Sequence, residues 1–455
     1  MKKYILSLAL TAIAAPALAD ELAVTIYGDN RALIVDERRI NISSGRQSIT
    51  LPNVSSQIIA PTVTFSADGV SIIEQNFDFD LLSPQKLMEK AVGQTVRIVR
   101  TNIATGAETT ERAKVLAVNN GVVVQIGQRI EVLRDDNLPT RVIFDRVPPN
   151  LRAQPTLSIN VDSTRSGDRD ASLTYLTNGL SWRADYVTLF DEAAGEMSLQ
   201  GWSTLTNSTQ TTFSDSKVQL VAGNVGSGNS RGRINGRRGI TSAGVESGNV
   251  ERIGDNYLYT LPGTTTIASN QTKQVSFVDA SAVSAKKAYE FISGSFYTQS
   301  QPQNVDVRIA FSNSQASGLG VPLPQGIVRV YARDNAGRAQ FIGEDNIGHT
   351  PGGSDLSLKI GEAFDVTVQP TIKAQNNPNR RTTDTSMEYL VRNARPEEVT
   401  VTVRQTVSAW RTNIEVLEES SEHRQPDANS FVWDVVVPAN GETKLTFKLR
   451  QARRY

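Results

Sequence analysis

Cysteine is absent from this 455-residue sequence, and histidine occurs only twice. The first absence excludes disulfide bridges, thiolate metal sites and cysteine nucleophiles, and the second leaves little room for a histidine-based metal site or catalytic triad. Neither sign of charge is in excess, because 47 basic side chains balance 47 acidic ones. The sequence therefore offers no general basic surface for nucleic acid, and we expect no nucleic-acid partner.

Motifs for cofactors and for nucleophilic catalysis are also missing. The chain contains no phosphate-binding loop, no dinucleotide fingerprint and no Gly-x-Ser-x-Gly elbow with a plausible histidine partner. These absences predict no cofactor and argue against an enzyme. Carboxylates remain plentiful, so a site built from two acids stays open as an alternative.

The first 19 residues have the pattern of a secretory signal peptide. Residues 1–3 are a short positive start, residues 4–15 are apolar and uncharged, and residues 17–19 fit the small-x-small cleavage rule. The apolar run is shorter than the roughly 20 residues that a bilayer requires. We predict cleavage after Ala19, no transmembrane anchor in the mature chain, and a periplasmic or secreted location.

Alternation of apolar and polar residues with a period of two recurs along the rest of the chain. In residues 399–404, for example, three valines alternate with two threonines and an arginine. Turn signals such as Asn120-Gly121 and Asn440-Gly441 separate these runs. The pattern predicts an all-β fold of several antiparallel β-sandwiches with a small barrel-like unit.

A single helix signal remains after the signal peptide. Ser83 suits the cap, Pro84 suits the first helical position, Leu87 and Met88 form a small apolar stripe, and Gly93 ends the pattern. We predict one short connecting helix that separates two sets of strands.

Turn signals and composition suggest where the domains begin and end. We expect an N-terminal β-domain over residues 20–82, a small β-barrel-like unit over 94–148, and a C-terminal β-sandwich region over 150–455. An internal break of the last region near 301–304 is an open alternative.

A low-complexity insert rich in Gly, Ser and Asn is expected over residues 223–254. Its composition predicts a disordered loop, because it buries too little apolar surface to offset its ordering entropy. The alternative is a flexible basic arm that binds anionic envelope polymers. The candidate binding residues of that arm are Arg231, Arg233, Arg237 and Arg238.

Several motifs in the C-terminal region occur together and in order. They are YLTNGLSWRADY, MSLQGWSTLTNST and FSDSKVQLVAG, followed by VPLPQGIVRVYARD, FIGEDNIGHTPGG and YLVRNARPEEVTVTVRQTV. In these motifs the chain is similar to bacterial proteins with the domain of unknown function 4139, which include the mucoidy inhibitor A family. It lacks the coiled coil common in that family. The resemblance implies a β-rich exported protein and supplies no catalytic residues.

Aromatic side chains are concentrated in two adjacent predicted strands of this region. Trp182 and Tyr186 share one face of the first strand, and Trp202 lies on the second. We expect all three to pack in a core, with a carbohydrate-stacking platform as the alternative. Arg183 and Asp185 lie on the opposite face of the first strand, where a local ion pair is expected.

The two histidines have no evident catalytic partners. His349 lies in a Gly- and Pro-rich turn, where a locally hydrogen-bonded role is expected. His423 follows several glutamates in a polar segment and is expected to be a solvated surface residue. A zinc site would need further carboxylates that the sequence does not indicate.

Two pairs of acidic residues could form a site, but a structural role is expected for each pair. Asp78 and Asp80 alternate with phenylalanines, which predicts a half-buried strand with its acids in water. Asp168 and Asp170 flank Arg169 in a predicted turn that lacks a calcium-loop signature.

These observations together favour an exported, non-catalytic binding or structural module of the cell envelope. The expected partner is an envelope protein or an anionic polymer, and the oligomeric state is open. Two alternatives are a carboxylate-dependent enzyme acting on envelope glycan or peptide, and a secreted or surface adhesin. A pocket with two facing acids and aromatic walls would favour the enzyme.

Overall fold

Strands dominate the fold. The computed structural model is 69% strand and 3% helix, which confirms the predicted all-β class, and one of its sheets curls into a half-barrel. Its described residues are 21–78, 82–119, 121–133, 140–148, 151–223, 250–254, 256–408 and 411–453. Within these ranges no helix is long and apolar enough to cross a membrane.

Strands make up most of the described residues. Two single 3-10 turns, Ala60–Thr62 and Gln315–Ser317, interrupt them. In chain order the strands of the described residues are β1 Glu21–Tyr27, β2 Arg31–Ile42, β3 Gly45–Pro52, β4 Thr64–Ala67, β5 Val70–Asp78, β6 Thr95–Thr101, β7 Glu108–Val118, β8 Val122–Ile126, β9 Arg129–Leu133, β10 Thr140–Ile143, β11 Thr156–Ser163, β12 Gly167–Asn178, β13 Leu180–Asp191, β14 Glu196–Asn207, β15 Phe213–Ala222, β16 Val250–Ile253, β17 Asn256–Ile267, β18 Gln271–Ser293, β19 Gln303–Ser312, β20 Gly326–Arg333, β21 Ala339–Ile347, β22 Asp355–Asn376, β23 Thr382–Asn393, β24 Val399–Thr406, β25 Arg411–Glu419, β26 Arg424–Asp427, β27 Ser430–Val437 and β28 Gly441–Arg453.

The predicted short helix is confirmed as α1, Pro84–Lys90. The side chain of Ser83 accepts a hydrogen bond from the Lys86 backbone N–H at 3.1 Å, which caps the first turn. Met88 and Ala91 are buried against the sheet that follows. The helix therefore covers one side of a five-stranded antiparallel sheet with the order β10-β6-β7-β8-β9.

The described part of the chain divides into two compact units. The first comprises the described residues of Met1–Trp182, Leu205–Val221 and Thr260–Lys273. The second comprises those of Arg183–Thr204, Ala222–Tyr259 and Gln274–Tyr455. The domain boundaries expected from the sequence stay predictions.

Three sheets build the first unit. One has the order β17-β15-β1-β2-β12-β4, a second is β3-β11-β5, and the third is the five-stranded sheet that α1 covers. Strands β1 and β15 are parallel, an arrangement that alternation in the sequence does not reveal. The predicted turn at Asp168–Asp170 is wrong, because these residues belong to β12, which pairs with β2.

The second unit contains a sheet with the order β21-β20-β13-β14-β18-β19-β22-β23-β28-β25. Strand β24 pairs in parallel with β18 and antiparallel with β27. Side chains from both groups of strands form one core, as expected of a β-sandwich. The aromatic members of that core are Tyr289, Phe291, Tyr389, Phe431, Trp433 and Phe447.

The predicted insert over 223–254 lies mostly outside the described residues. Its last part is ordered, because Val250–Ile253 forms β16 and pairs with the start of β17. The four candidate binding residues of the basic arm, Arg231, Arg233, Arg237 and Arg238, lie outside the described residues.

Candidate binding face

The two faces of strand β13 differ in what they carry. Trp182 and Tyr186 are buried on one face, which confirms core packing for both. The Tyr186 hydroxyl donates a hydrogen bond to the Pro324 carbonyl at 2.7 Å, and burial raises its pKa above the usual range. Because strand side chains alternate, Arg183 and Asp185 project from the opposite face.

A buried carboxylate lies at the centre of that opposite face. The side chain of Asp185 is 6% exposed, and its Oδ2 accepts a hydrogen bond from Thr204 Oγ1 on β14 at 2.7 Å. Arg183 Nε donates to the same oxygen and Arg329 Nη1 donates to Oδ1, each at 3.1 Å. Gln274 Nε2 donates to Thr204 Oγ1 at 3.1 Å and extends the network to β18. The expected ion pair between Arg183 and Asp185 is therefore present, within a larger cluster.

The hydrogen bonds to Asp185 keep it ionised. Burial alone would raise its pKa, but the bonds from Thr204, Arg183 and Arg329 outweigh this, so its pKa lies below the usual range. A buried carboxylate that accepts charge-assisted bonds also restrains its donors. Asp185 thus fixes the orientation of two guanidinium groups.

Strand β20 brings Arg329 to this cluster through a parallel pairing with β13. Gly326 is paired with Ala184 at the start of the contact, and a Cβ atom at Gly326 would lie 2.3 Å from the Ala184 carbonyl oxygen. A glycine is therefore needed here for the close approach of the two backbones. The same pairing sets Arg329 beside Val187, two residues from Asp185.

The two arginines differ in their remaining interactions. Arg329 is 34% exposed, and its Nε also pairs with Glu344 at 3.3 Å. Arg183 is 69% exposed, and Asp185 is its single ion-pair partner among the described residues. Its terminal nitrogens are therefore available for an anion from solution, while its Nε is held by the protein.

Trp202 shares this face and corrects the expectation that it packs in a core. It lies two residues before Thr204 on β14, so both side chains project from the same side of the strand. It is half-buried, in contrast to the buried Trp182 and Tyr186. We call the surface formed by Arg183, Asp185, Trp202, Thr204 and Arg329 the Asp185 face.

A cavity of about 710 Å³ lies in the same unit, beside the turn between β13 and β14. Three acids line it, and two of them are engaged. Asp191 Oδ1 accepts the backbone N–H groups of Ala193 and Ala194 at 3.0 Å. Glu192 pairs with Lys287 at 3.1 Å, whereas no ion pair involves the third acid, Glu196, among the described residues.

The two histidines have different surroundings. His349 Nδ1 accepts a hydrogen bond from the Gln325 backbone N–H at 3.2 Å, and desolvation lowers its pKa. His423 lies partly exposed, with 23% of its side chain accessible to solvent. Its Nδ1 lies 2.9 Å from Glu419 Oε2, and its ring centroid is 6.0 Å from that of Trp433. His423 is thus part of the rim of the sandwich core.

The acids at positions 78, 168 and 170 lie in strands of the first unit. Asp168 accepts a hydrogen bond from Asn41 on β2, and Arg169 beside it is buried. Asp78 ends β5, and Asp80 lies outside the described residues. In the described ranges no three His, Cys, Asp or Glu side chains are grouped so that they could hold a metal ion.

Sequence reasoning identified part of this site and missed the rest. The sequence pattern singles out Arg183, Asp185 and Trp202, but not Thr204 or Arg329. Arg329 is 144 residues from Asp185 along the chain, and no local pattern links them. Alternation within β13 is the sequence pattern that indicates this site, because it separates the buried aromatic face of the strand from the charged face.

The C-terminal part of the chain matches a known protein family. The model of a family described as "Domain of unknown function (DUF4139)" matches residues 171–452, which include the whole Asp185 face. No curated protein matches the chain.

Proposed function

The chain belongs to the DUF4139 family, and we propose that it is an exported, non-catalytic protein of the cell envelope that binds an anionic polymer. The supporting observation is the position of Arg183 on the Asp185 face. A buried carboxylate holds its Nε, and its outer nitrogens lie in solvent. Such an arrangement binds an anionic group with little loss of side-chain freedom.

The family match names a domain of unknown function and specifies no ligand. An envelope protein as partner, or a role as a surface adhesin, remains an alternative within the same class of function. The carboxylate-dependent enzyme has less support, because Asp191 and Glu192 in the cavity are already held by a turn and by Lys287. The basic arm of Arg231, Arg233, Arg237 and Arg238 is a second proposed contact for the polymer.

Export is tested at the N-terminus. Protein isolated from the periplasm or the medium is expected to begin at Asp20, because residues 1–19 have the charge and hydropathy pattern of a cleaved signal peptide. N-terminal sequencing of the isolated protein checks this. Mature protein that retains Met1 would contradict both cleavage and the proposed location.

Polymer binding is tested with Arg183→Gln. This variant removes the exposed charge of the Asp185 face, so we expect weaker binding to an anionic polymer and a smaller loss of affinity on addition of salt. Titration of immobilised polygalacturonate at two salt concentrations measures both effects. Arg380→Gln is the matched control, since Arg380 is an exposed arginine of the same unit outside the Asp185 face.

The basic arm is tested in the same assay by changing its four arginines to serine. If the arm makes the main contact, the serine variant loses binding and Arg183→Gln does not. Binding that is insensitive to salt and unchanged in both variants would exclude the polymer and leave a protein partner. Turnover of an envelope substrate, abolished by one Asp or Glu substitution, would overturn the non-catalytic proposal.

A further inference from the structure

We infer that the Asp185 face binds an acidic polysaccharide, with one sugar ring stacked on Trp202 and the carboxylate of a sugar held by Arg183. This inference rests on the proposed function and specifies its ligand class. The charge of Arg183 alone does not select this ligand, because a phosphate polymer or an acidic protein would pair with Arg183 equally well. The distinguishing group is Trp202.

The indole of Trp202 differs from those of Trp182 and Trp433, the other tryptophans that the structure describes. Buried indole N–H groups normally find an acceptor, as those of Trp182 and Trp433 do with Val221 and Glu419. The half-buried Trp202 has no hydrogen bond from its indole N–H in the described part of the chain. A half-buried ring with a free donor suits a ligand that is apolar on its face and carries acceptors at its edge. A sugar ring has both properties.

The charge on this face is complementary to an acidic sugar. Arg183 presents a cation whose inner nitrogen is bound to the ionised Asp185, so the outer edge of the guanidinium is fixed toward solvent. A carboxylate fits the paired donors of such an edge. The second cation, Arg329, is already shared between Asp185 and Glu344. The free positive charge is therefore concentrated at Arg183.

Arg183 and Trp202 both lie near Asp185. Arg183 Nε and Thr204 Oγ1 bond to the same oxygen of Asp185, and Trp202 lies two residues from Thr204 on β14, which is about 7 Å of extended strand. Gln200 lies two residues further on the same side and is exposed. Its amide supplies a donor and an acceptor for hydroxyl groups. The face thus carries, in order along β14, an amide, an aromatic ring and the Asp185 cluster.

The experiment measures binding of three probes to the full mature protein and its variants. The probes are polygalacturonate, which is an acidic sugar polymer, polyphosphate, which is anionic without sugars, and dextran, which is a neutral sugar polymer. We expect polygalacturonate to bind best, and Trp202→Ala to weaken its binding about five- to tenfold, as loss of an aromatic contact does. Trp202→Phe keeps a ring and is expected to retain most of the affinity.

The control for Trp202→Ala is Phe364→Ala, which removes an almost fully exposed aromatic ring of the same unit. It should leave binding unchanged. Circular dichroism of every variant checks folding, and Trp202→Phe keeps the test valid if the alanine variant is destabilised. Equal binding of polyphosphate, with no effect of Trp202→Ala, would overturn this inference and leave the proposed function standing. If the unmodified protein bound none of the anionic probes, both this inference and the proposed function would be overturned.

Discussion

Replacing Trp433 with alanine is expected to lower the free energy of unfolding of the second unit by about 4 kcal/mol, as large-to-small changes at buried aromatic residues do. Trp433 is fully buried in the sandwich core. Its ring stacks on Phe447 with centroids 4.4 Å apart, and its indole N–H donates to Glu419 at 2.9 Å. Truncation would open a cavity and leave the carboxylate of Glu419 with one fewer donor. Urea unfolding followed by circular dichroism measures the change.

Val436→Ala is the control for that substitution. Val436 lies on the same strand, β27, but is half-exposed, so its truncation is expected to cost less than about 1 kcal/mol. An equal loss of unfolding free energy in both variants would show that any truncation on β27 destabilises the protein, whether or not the side chain is in the core. A loss below about 1 kcal/mol for Trp433→Ala would show that the aromatic stack contributes little.

Replacing Asp185 with alanine is expected to cost about 2 kcal/mol at neutral pH, because it removes a buried acceptor of charge-assisted hydrogen bonds. Thr204 would lose its acceptor, whereas Arg183 and Arg329 are exposed enough to be hydrated in part. The expected loss is therefore below that of a fully buried ion pair. The same variant should weaken polymer binding, since Arg183 would lose its orientation. Asp279→Ala, at an exposed position of the same unit, is the control.

The pH dependence of this effect has a defined sign. The pKa of Asp185 is lowered in the folded protein, so its stabilising contribution is present above the ordinary value of 3.8. The contribution is lost as the pH falls through the lowered folded-state pKa. We therefore expect the stability difference between the unmodified protein and Asp185→Ala to be constant from pH 7 to about 5 and to shrink below about 4. A difference that grows toward acid pH would contradict the ionised state of Asp185.

Local patterns predicted the secondary structure well because their causes are local. Ser83 and Pro84 determine where α1 begins through the cap and the fixed backbone angle. Asn440, with φ of 48°, adopts the left-handed conformation that precedes β28. Neighbouring atoms decide both features, so a short stretch of sequence is sufficient to predict them.

The predictions were incomplete for residues whose surroundings come from distant parts of the chain. The acids at 168 and 170 looked like a turn after Gly167, but pairing with β2 draws them into β12. His423 is expected at the surface and is partly exposed, but β27 brings Trp433 close to it, with ring centroids 6.0 Å apart. In both cases the contact that decides the conformation joins segments that local patterns do not relate.

The sequence alone determined the class of the fold, because alternation with a period of two is a property of each strand by itself. It also separated the face of Tyr186 from that of Asp185, since the two residues are adjacent on β13. Only the tertiary structure decided that Trp202 is half-open and that Arg329 completes the cluster around Asp185. Those facts depend on which strands pair, and the parallel pairing of β13 with β20 joins residues that lie more than a hundred positions apart because the backbones meet at Gly326.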